Sequence, residues 1–195
     1  MGKVNSVNRS FMSVRQLSTA GLLVGITIFL GISGYGFIPL FAINATILHI
    51  PTIIGAMAAG PKVGAMTGFF FGMFSFIQAF RSPAVMMQFA SSYNPLYALI
   101  ICVVPRVAIG WILPGKLAVR AGGAAVITTF LHTVMFLSLF YLLVGVPFAQ
   151  HQGVSPVAVA EMLAGIAGAN GIPEAIVAGV ITAPILSALY RIGNR

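Results

Sequence analysis

The stretch GPKVGAMTGFFFGMFSFIQAFRSP, residues 60–83, decides the fold class. The run from Val63 to Phe80 carries no charge and is bracketed by Gly60-Pro61-Lys62 and Arg81-Ser82-Pro83. A helix that crosses a bilayer needs about 20 mostly apolar residues. Lipid accepts apolar side chains all around such a helix, whereas a soluble core accepts them on one face only. Five further segments read the same way: Leu17–Gly34, Ile43–Gly60, Asn94–Leu113, Ala124–Val146 and Ile172–Tyr190. Asn94–Leu113 is closed by Pro114-Gly115-Lys116 and Ala124–Val146 by Gly145 and Pro147. Ile172–Tyr190 is opened by Pro173, a residue suited to a first helical turn. The runs are unbroken, without the alternation of about ten residues that membrane β-strands need. Hydrophobic residues make up 59% of the chain and its mean hydropathy is +1.04. The expected fold is an all-α integral membrane protein, residues 1–195 forming a single domain of six transmembrane helices.

The charges give this arrangement a direction. The 195 residues hold ten Lys and Arg against two Asp and Glu, a net charge of +8. Lys3, Arg9 and Arg15 precede the first run and Lys62 separates the second from the third. Lys116 and Arg120 separate the fourth from the fifth, and Arg191 and Arg195 follow the sixth. These gaps fall on one side if the spans alternate; Arg81, Glu161 and Glu174 fall on or near the other. The positive-inside rule then makes both termini cytoplasmic. The basic balance is topology, with no basic, aromatic-bearing soluble domain that would suggest nucleic acid. The N-terminal run is too long for a signal peptide and is read as a retained span. Cys102 is the single cysteine.

The longer gaps, Arg81–Tyr93 and Pro147–Gly171, lie on the outer side, which suggests capture of something from outside. Val154–Ala169 within the second reads as a short helix. No phosphate-cradling loop with its Lys and no G-x-S-x-G is present. His49, His132 and His151 come from separate segments without metal-ligand spacing. No metal, cofactor or catalytic residue is expected.

Polar groups inside the apolar runs are the candidates for function. Arg106 lies about 18 Å along its helix, too deep for easy snorkelling. A buried Arg costs at least about 2.5 kcal/mol on the mild insertion scale, so it faces a partner or a wet cavity. It either grips an anionic ligand, ideally a carboxylate held bidentately, or pairs with Glu174 or with backbone carbonyls freed at Pro105. Thr128, Thr129, His132 and Thr133 make a polar strip on the fifth helix, either ligand-facing or interhelical glue. Asn44 and His49 in the second run, Asn94 and Tyr97 at the start of the fourth, and Asn170 and Glu174 at the start of the sixth would converge on one outward-opening cavity. A free helix start at Asn170–Glu174 would offer N–H groups to an anion, or Asn170 and Glu174 would simply cap it. Ser18, Gly21 and Gly25 form a smooth face on the first helix, for bundle packing or for docking a partner. Gly64, Gly68 and Gly72 form a second.

Six runs of this size with Gly21-x-x-x-Gly25 on the first resemble the S component, the substrate-binding subunit, of an energy-coupling factor (ECF) vitamin transporter. The segment Ile43-Asn44-Ala45-Thr46-Ile47-Leu48-His49-Ile50-Pro51, then Gly60-Pro61-Lys62-x-Gly64-Ala65, and Asn170-Gly171-Ile172-Pro173-Glu174-Ala175 are similar to a subgroup in Firmicutes, of pantothenate type. The family usually has Ala-x-x-x-Ala on helix one, and glycine at both places keeps the close approach. The resemblance implies a bacterial cell-membrane subunit that captures a vitamin outside. Its partners would be a membrane coupling subunit (EcfT-type) and two cytoplasmic ATPases, and it would release the vitamin inside by toppling. Pantothenate offers a carboxylate to Arg106 and hydroxyl and amide groups to Asn94, Asn170 or His132. Pyridoxine or another B vitamin is the alternative, since Tyr35, Phe37, Phe41, Tyr93 and Tyr97 offer rings for stacking. A six-span channel and an intramembrane enzyme using His132 and Glu174 are the competing classes.

Overall fold

The computed structural model describes residues 12–40, 43–81, 85–112 and 121–193. The basic residues Lys3, Arg9, Lys116, Arg120 and Arg195, the breakers Ser82-Pro83 and Pro114-Gly115, and Phe41 lie outside the described residues. Helix α1 (Val14–Ser33) opens with a capping box: the Ser13 hydroxyl accepts from Gln16 N and the Gln16 side chain accepts from Ser13 N. A hairpin follows, β1 (Phe37–Leu40) and β2 (Ile43–Thr46), with Phe37 opposite Thr46 and Leu40 opposite Ile43. Then come α2 (Ile50–Ala59), α3 (Pro61–Arg81), α4 (Val85–Tyr93) and α5 (Pro95–Ile112). The remainder is α6 (Ala121–Phe140), α7 (Val146–Gln152), α8 (Pro156–Ile166) and α9 (Ile172–Gly193).

Five helical stretches are long and apolar enough to cross a membrane: Val14–Ser33, Pro61–Arg81, Pro95–Ile112, Gly122–Gln152 and Pro156–Arg191. The second expected span differs. Ile43–Thr46 is paired in the hairpin, and the helix runs only from Ile50 to Ala59. Ten residues reach about 15 Å, half the hydrocarbon thickness. The local reason is Pro51, which sits in the first turn of α2 and has no N–H with which to extend the helix backwards.

Two expected helix boundaries also move. Gly145 and Pro147 do not end the fifth helix: a π-helical turn at Tyr141–Gly145 carries it into α7. Pro173 does not open the sixth: a second π turn at Ala167–Gly171 joins α8 to α9. Each π turn ends two residues before a proline. A proline ring collides with the carbonyl four residues back, here Leu143 and Ala169, and the wider turn clears it. The short helix expected within Val154–Ala169 is α8.

Glycine sets the tightest packing. A Cβ on Gly64 would overlap the Gly110 carbonyl oxygen, one on Gly68 the Arg106 carbonyl oxygen, and one on Gly72 the Cα of Val103. The second smooth face therefore serves the bundle, seating α3 antiparallel to α5. Gly179 against Val126 and Gly122, and Gly171 against Thr133, set α9 antiparallel to α6 in the same way. At one end of the bundle Gln16 Nε2 donates to the Ala59 carbonyl at 3.1 Å, and Tyr190 Oη donates to the Met57 carbonyl at 3.0 Å. The start of α1 and the ends of α2 and α9 thus meet there, beside Arg15, Lys62 and Arg191. The hairpin lies at the opposite end, against α9 and its π turn.

Candidate functional site

Between the hairpin end and the bundle centre, α2, α3, α5, α6 and α9 leave a cavity of about 170 Å³ lined by Thr46, His49, Phe71, Arg106, His132, Thr133, Phe136, Asn170 and Glu174, among others. A second, of about 200 Å³, shares Thr46, Phe71, Arg106 and Phe136 and adds Ser75, Gln78, Met87 and Cys102. Together the two fall at the small end of ordinary ligand pockets, which begin at about 300 Å³.

Arg106 is the hub. It is 8% exposed, and His49 and His132 are 1% and 8% exposed. Its Nη1 donates to the Ile101 carbonyl at 3.1 Å. That carbonyl is the one a residue at position 105 would ordinarily hold, and Pro105 has no N–H for it. The guanidinium carbon stands 4.7 Å from the Phe136 ring centre and 5.2 Å from that of Phe71, within cation–π range. Its Nε is buried without a hydrogen-bond partner. Glu174 is engaged elsewhere: its Oε1 accepts from Thr46 N at 2.9 Å and ties β2 to α9. Among the described residues no ion pair joins it to Arg106.

The two histidines sit beside this cation. Their rings stack with centres 6.1 Å apart and planes 16° apart, and Phe71 lies 6.1 Å from His132. Nε2 of each is buried without a partner. Buried polar atoms are ordinarily hydrogen-bonded, and three of the six side-chain atoms that are buried without a partner among the described residues belong to residues lining this cavity. The threonine strip divides. Thr128 and Thr133 return their hydroxyls to the carbonyls of Ala124 and Thr129, at 2.7 and 3.2 Å, rather than crossing to another helix. Thr129 Oγ1 is a further buried atom without a partner.

The structure thus brings together Arg106, His49, His132, Asn170 and Glu174. Asn170 arrives on the π turn, not at a free helix start, so the expected anion-binding N–H groups are replaced by a side chain. Asn94 and Tyr97 are not among the lining residues. The Asn94 side chain accepts from Leu96 N at 3.0 Å and caps α5. Tyr97 packs on the outer core with Phe140 and Phe148. Asn44 lies in β2 opposite Pro39. Of the expected stacking aromatics, Tyr35 is exposed and Tyr93 stacks on Phe89 at 5.7 Å. The rings that do line the site are Phe71, Phe74 and Phe136. Two of them carried a sequence signal. Phe136 is four residues from His132 and so shares a helix face with a site residue, and Phe71 is three residues from Gly68 on the glycine face that seats α3 against α5.

Ser18, Gly21 and Gly25 occupy the other side of the molecule. The face of α1 turned to the bundle is Ala20, Leu23, Thr27 and Gly31. A Cβ on Gly21 or Gly25 would meet nothing within 4 Å. The smooth stripe takes no part in packing this chain.

An apolar bundle, a basic end and a cavity built around one cation at the opposite end agree with what sequence comparison returns. Residues 15–186 match the family described as ECF transporter, substrate-specific component. The chain belongs to this family. A curated relative of this S component is the pantothenic acid transporter PanT of Lactococcus lactis subsp. cremoris (strain MG1363). It is 29% identical over 168 residues, which cover 79% of this chain and 82% of that protein. Membrane transport, rather than catalysis, is therefore the setting in which the cavity is to be read.

Proposed function

We propose that this S component captures pantothenate from outside the cell and hands it to the cytoplasm, with ATP hydrolysed by partner subunits. The observation that carries the reading is that Arg106, His49 and His132, each with a buried nitrogen that has no hydrogen-bond partner, line one cavity. A carboxylate meets the guanidinium, and hydroxyl and amide groups meet the imidazoles and Asn170. The printed name of the Lactococcus relative agrees with this choice. The membrane coupling subunit and two cytoplasmic ATPases follow from family membership, and the free stripe Ser18, Gly21 and Gly25 is the docking face. Release proceeds by toppling of the whole subunit. The protein resides in the cell membrane of a bacterium of Gram-positive type. Native mass spectrometry of the gently purified protein against a vitamin panel tests the assignment. Pantothenate should be retained; retention of pyridoxine in its place would shift the substrate to a flat ring against Phe71, Phe74 and Phe136. Failure to retain any vitamin would remove the binding role.

We infer six crossings with both termini cytoplasmic. The glycine contacts and end clamps support alternating directions for α1, α2, α3, α5, α6 and α9, with α2 completed by the hairpin. Arg15, Lys62 and Arg191 then share the inner side. In intact cells, a Ser13→Cys protein should react with a membrane-impermeant maleimide only after permeabilisation, whereas Gln152→Cys should react at once. The reverse pattern would invert the subunit.

A further inference from the structure

Arg106 reaches into the cavity with part of its hydrogen-bonding capacity already committed, and the residue before it decides which part. Pro105 cannot donate to the Ile101 carbonyl, and Nη1 of Arg106 takes that acceptor at 3.1 Å. Nε is sealed and unpartnered, and Nη2 makes no hydrogen bond among the described residues. In a guanidinium, Nη1 lies on the same side as Cδ, while Nη2 shares an edge with Nε. The rings of Phe136 and Phe71, 4.7 and 5.2 Å from the guanidinium carbon, hold the plane.

We propose that Pro105 is a positioning residue: by freeing the Ile101 carbonyl it tethers Nη1 and fixes the guanidinium of Arg106 in the orientation that meets the carboxylate of the ligand. This inference rests on the reading that Arg106 binds a carboxylate. The chemistry asks for such a tether. A fork–fork pair gains from its two parallel bonds only if the fork is held in place beforehand. A free Arg side chain loses rotamer freedom on pairing, and a tether removes part of that loss beforehand. An ordinary residue at position 105 would bring its own N–H to Ile101, straighten the helix and release Nη1 into the cavity.

The test is Pro105→Ala, alone and beside Arg106→Gln, with binding of pantothenate and of its primary amide measured on each purified protein. Alanine favours a helix interior, so the variant should fold and unfold no earlier on heating. Pro105→Ala should weaken pantothenate by about two- to tenfold, the worth of one hydrogen bond, and leave the amide unchanged. Equal loss for acid and amide would make the proline merely structural. Unchanged affinity for the acid in Pro105→Ala, while Arg106→Gln abolishes the preference for acid over amide, would overturn the tether and leave the carboxylate reading standing. A preference that survives Arg106→Gln, or no pantothenate binding by the wild type, would remove the carboxylate reading and this inference together.

Discussion

Arg106→Gln should lower the affinity for pantothenate by about ten- to more than a hundredfold. The figure follows from loss of a charge-assisted hydrogen bond in a buried site, about 1.5 to 3 kcal/mol. Arg106→Lys should already weaken binding, because an ammonium lacks the planar fork and the stacking on Phe71 and Phe136. The amide of the acid should bind wild type and Arg106→Gln about equally poorly. A role confined to holding α5 through Ile101 would instead hurt acid and amide alike. Isothermal titration with both ligands separates the two, and thermal unfolding guards against collapse. Glutamine is not expected to unfold the bundle, since it removes a buried cation that has no carboxylate partner among the described residues. A folded Arg106→Gln protein that binds the acid as before would end the case for an anionic vitamin and bring pyridoxine forward.

The second large effect is expected far from the cavity. Gly21→Leu and Gly25→Leu should each abolish uptake in the assembled transporter while leaving pantothenate affinity unchanged. A Cβ added at either position meets nothing within 4 Å. Exposed substitutions of this kind shift stability by less than about 0.5 kcal/mol. A Leu on a small-residue face nevertheless holds a facing helix away, and close approach is what makes such faces associate. Co-purification with the coupling subunit reads the docking step and radiolabelled uptake reads the outcome. Uptake that survives both changes would mean the partner docks elsewhere.

The two smooth faces show how far small-residue spacing can be read in a sequence. Gly21 and Gly25 have the same i,i+4 spacing as Gly64, Gly68 and Gly72. Spacing alone left packing and docking open for both sets. The bundle uses one set against α5 and leaves the other free, which only the packed helices decide. Arg106 was legible for a different reason. A cation in an apolar run must be compensated wherever it points, so depth alone marks it. Its compensation was less legible: Nη1 bonds the Ile101 carbonyl freed at Pro105, while Glu174 accepts from Thr46 N. His49, His132, Asn170 and Glu174 meet Arg106, whereas Asn94 caps its own helix and Tyr97 turns to the outer core.

What the sequence by itself determined is the membrane character and the placement of Lys and Arg in alternate gaps between apolar runs. Hydropathy and Lys/Arg placement act segment by segment, and all the runs but Ile43–Gly60 lie in helices long and apolar enough to cross a membrane. The tertiary structure decided which polar groups share a cavity and how many residues each traverse uses. Those depend on helix rotation and crossing, and here both are altered by departures from regular helix whose consequences reach well beyond the residues that cause them. The hairpin takes Ile43–Thr46 away from α2, and the π turns before Pro147 and Pro173 change the phase of the helices that follow. A turn widened by one residue re-aims every later side chain. That brings Asn170 to the site on a continuous helix, where the sequence suggested a new one.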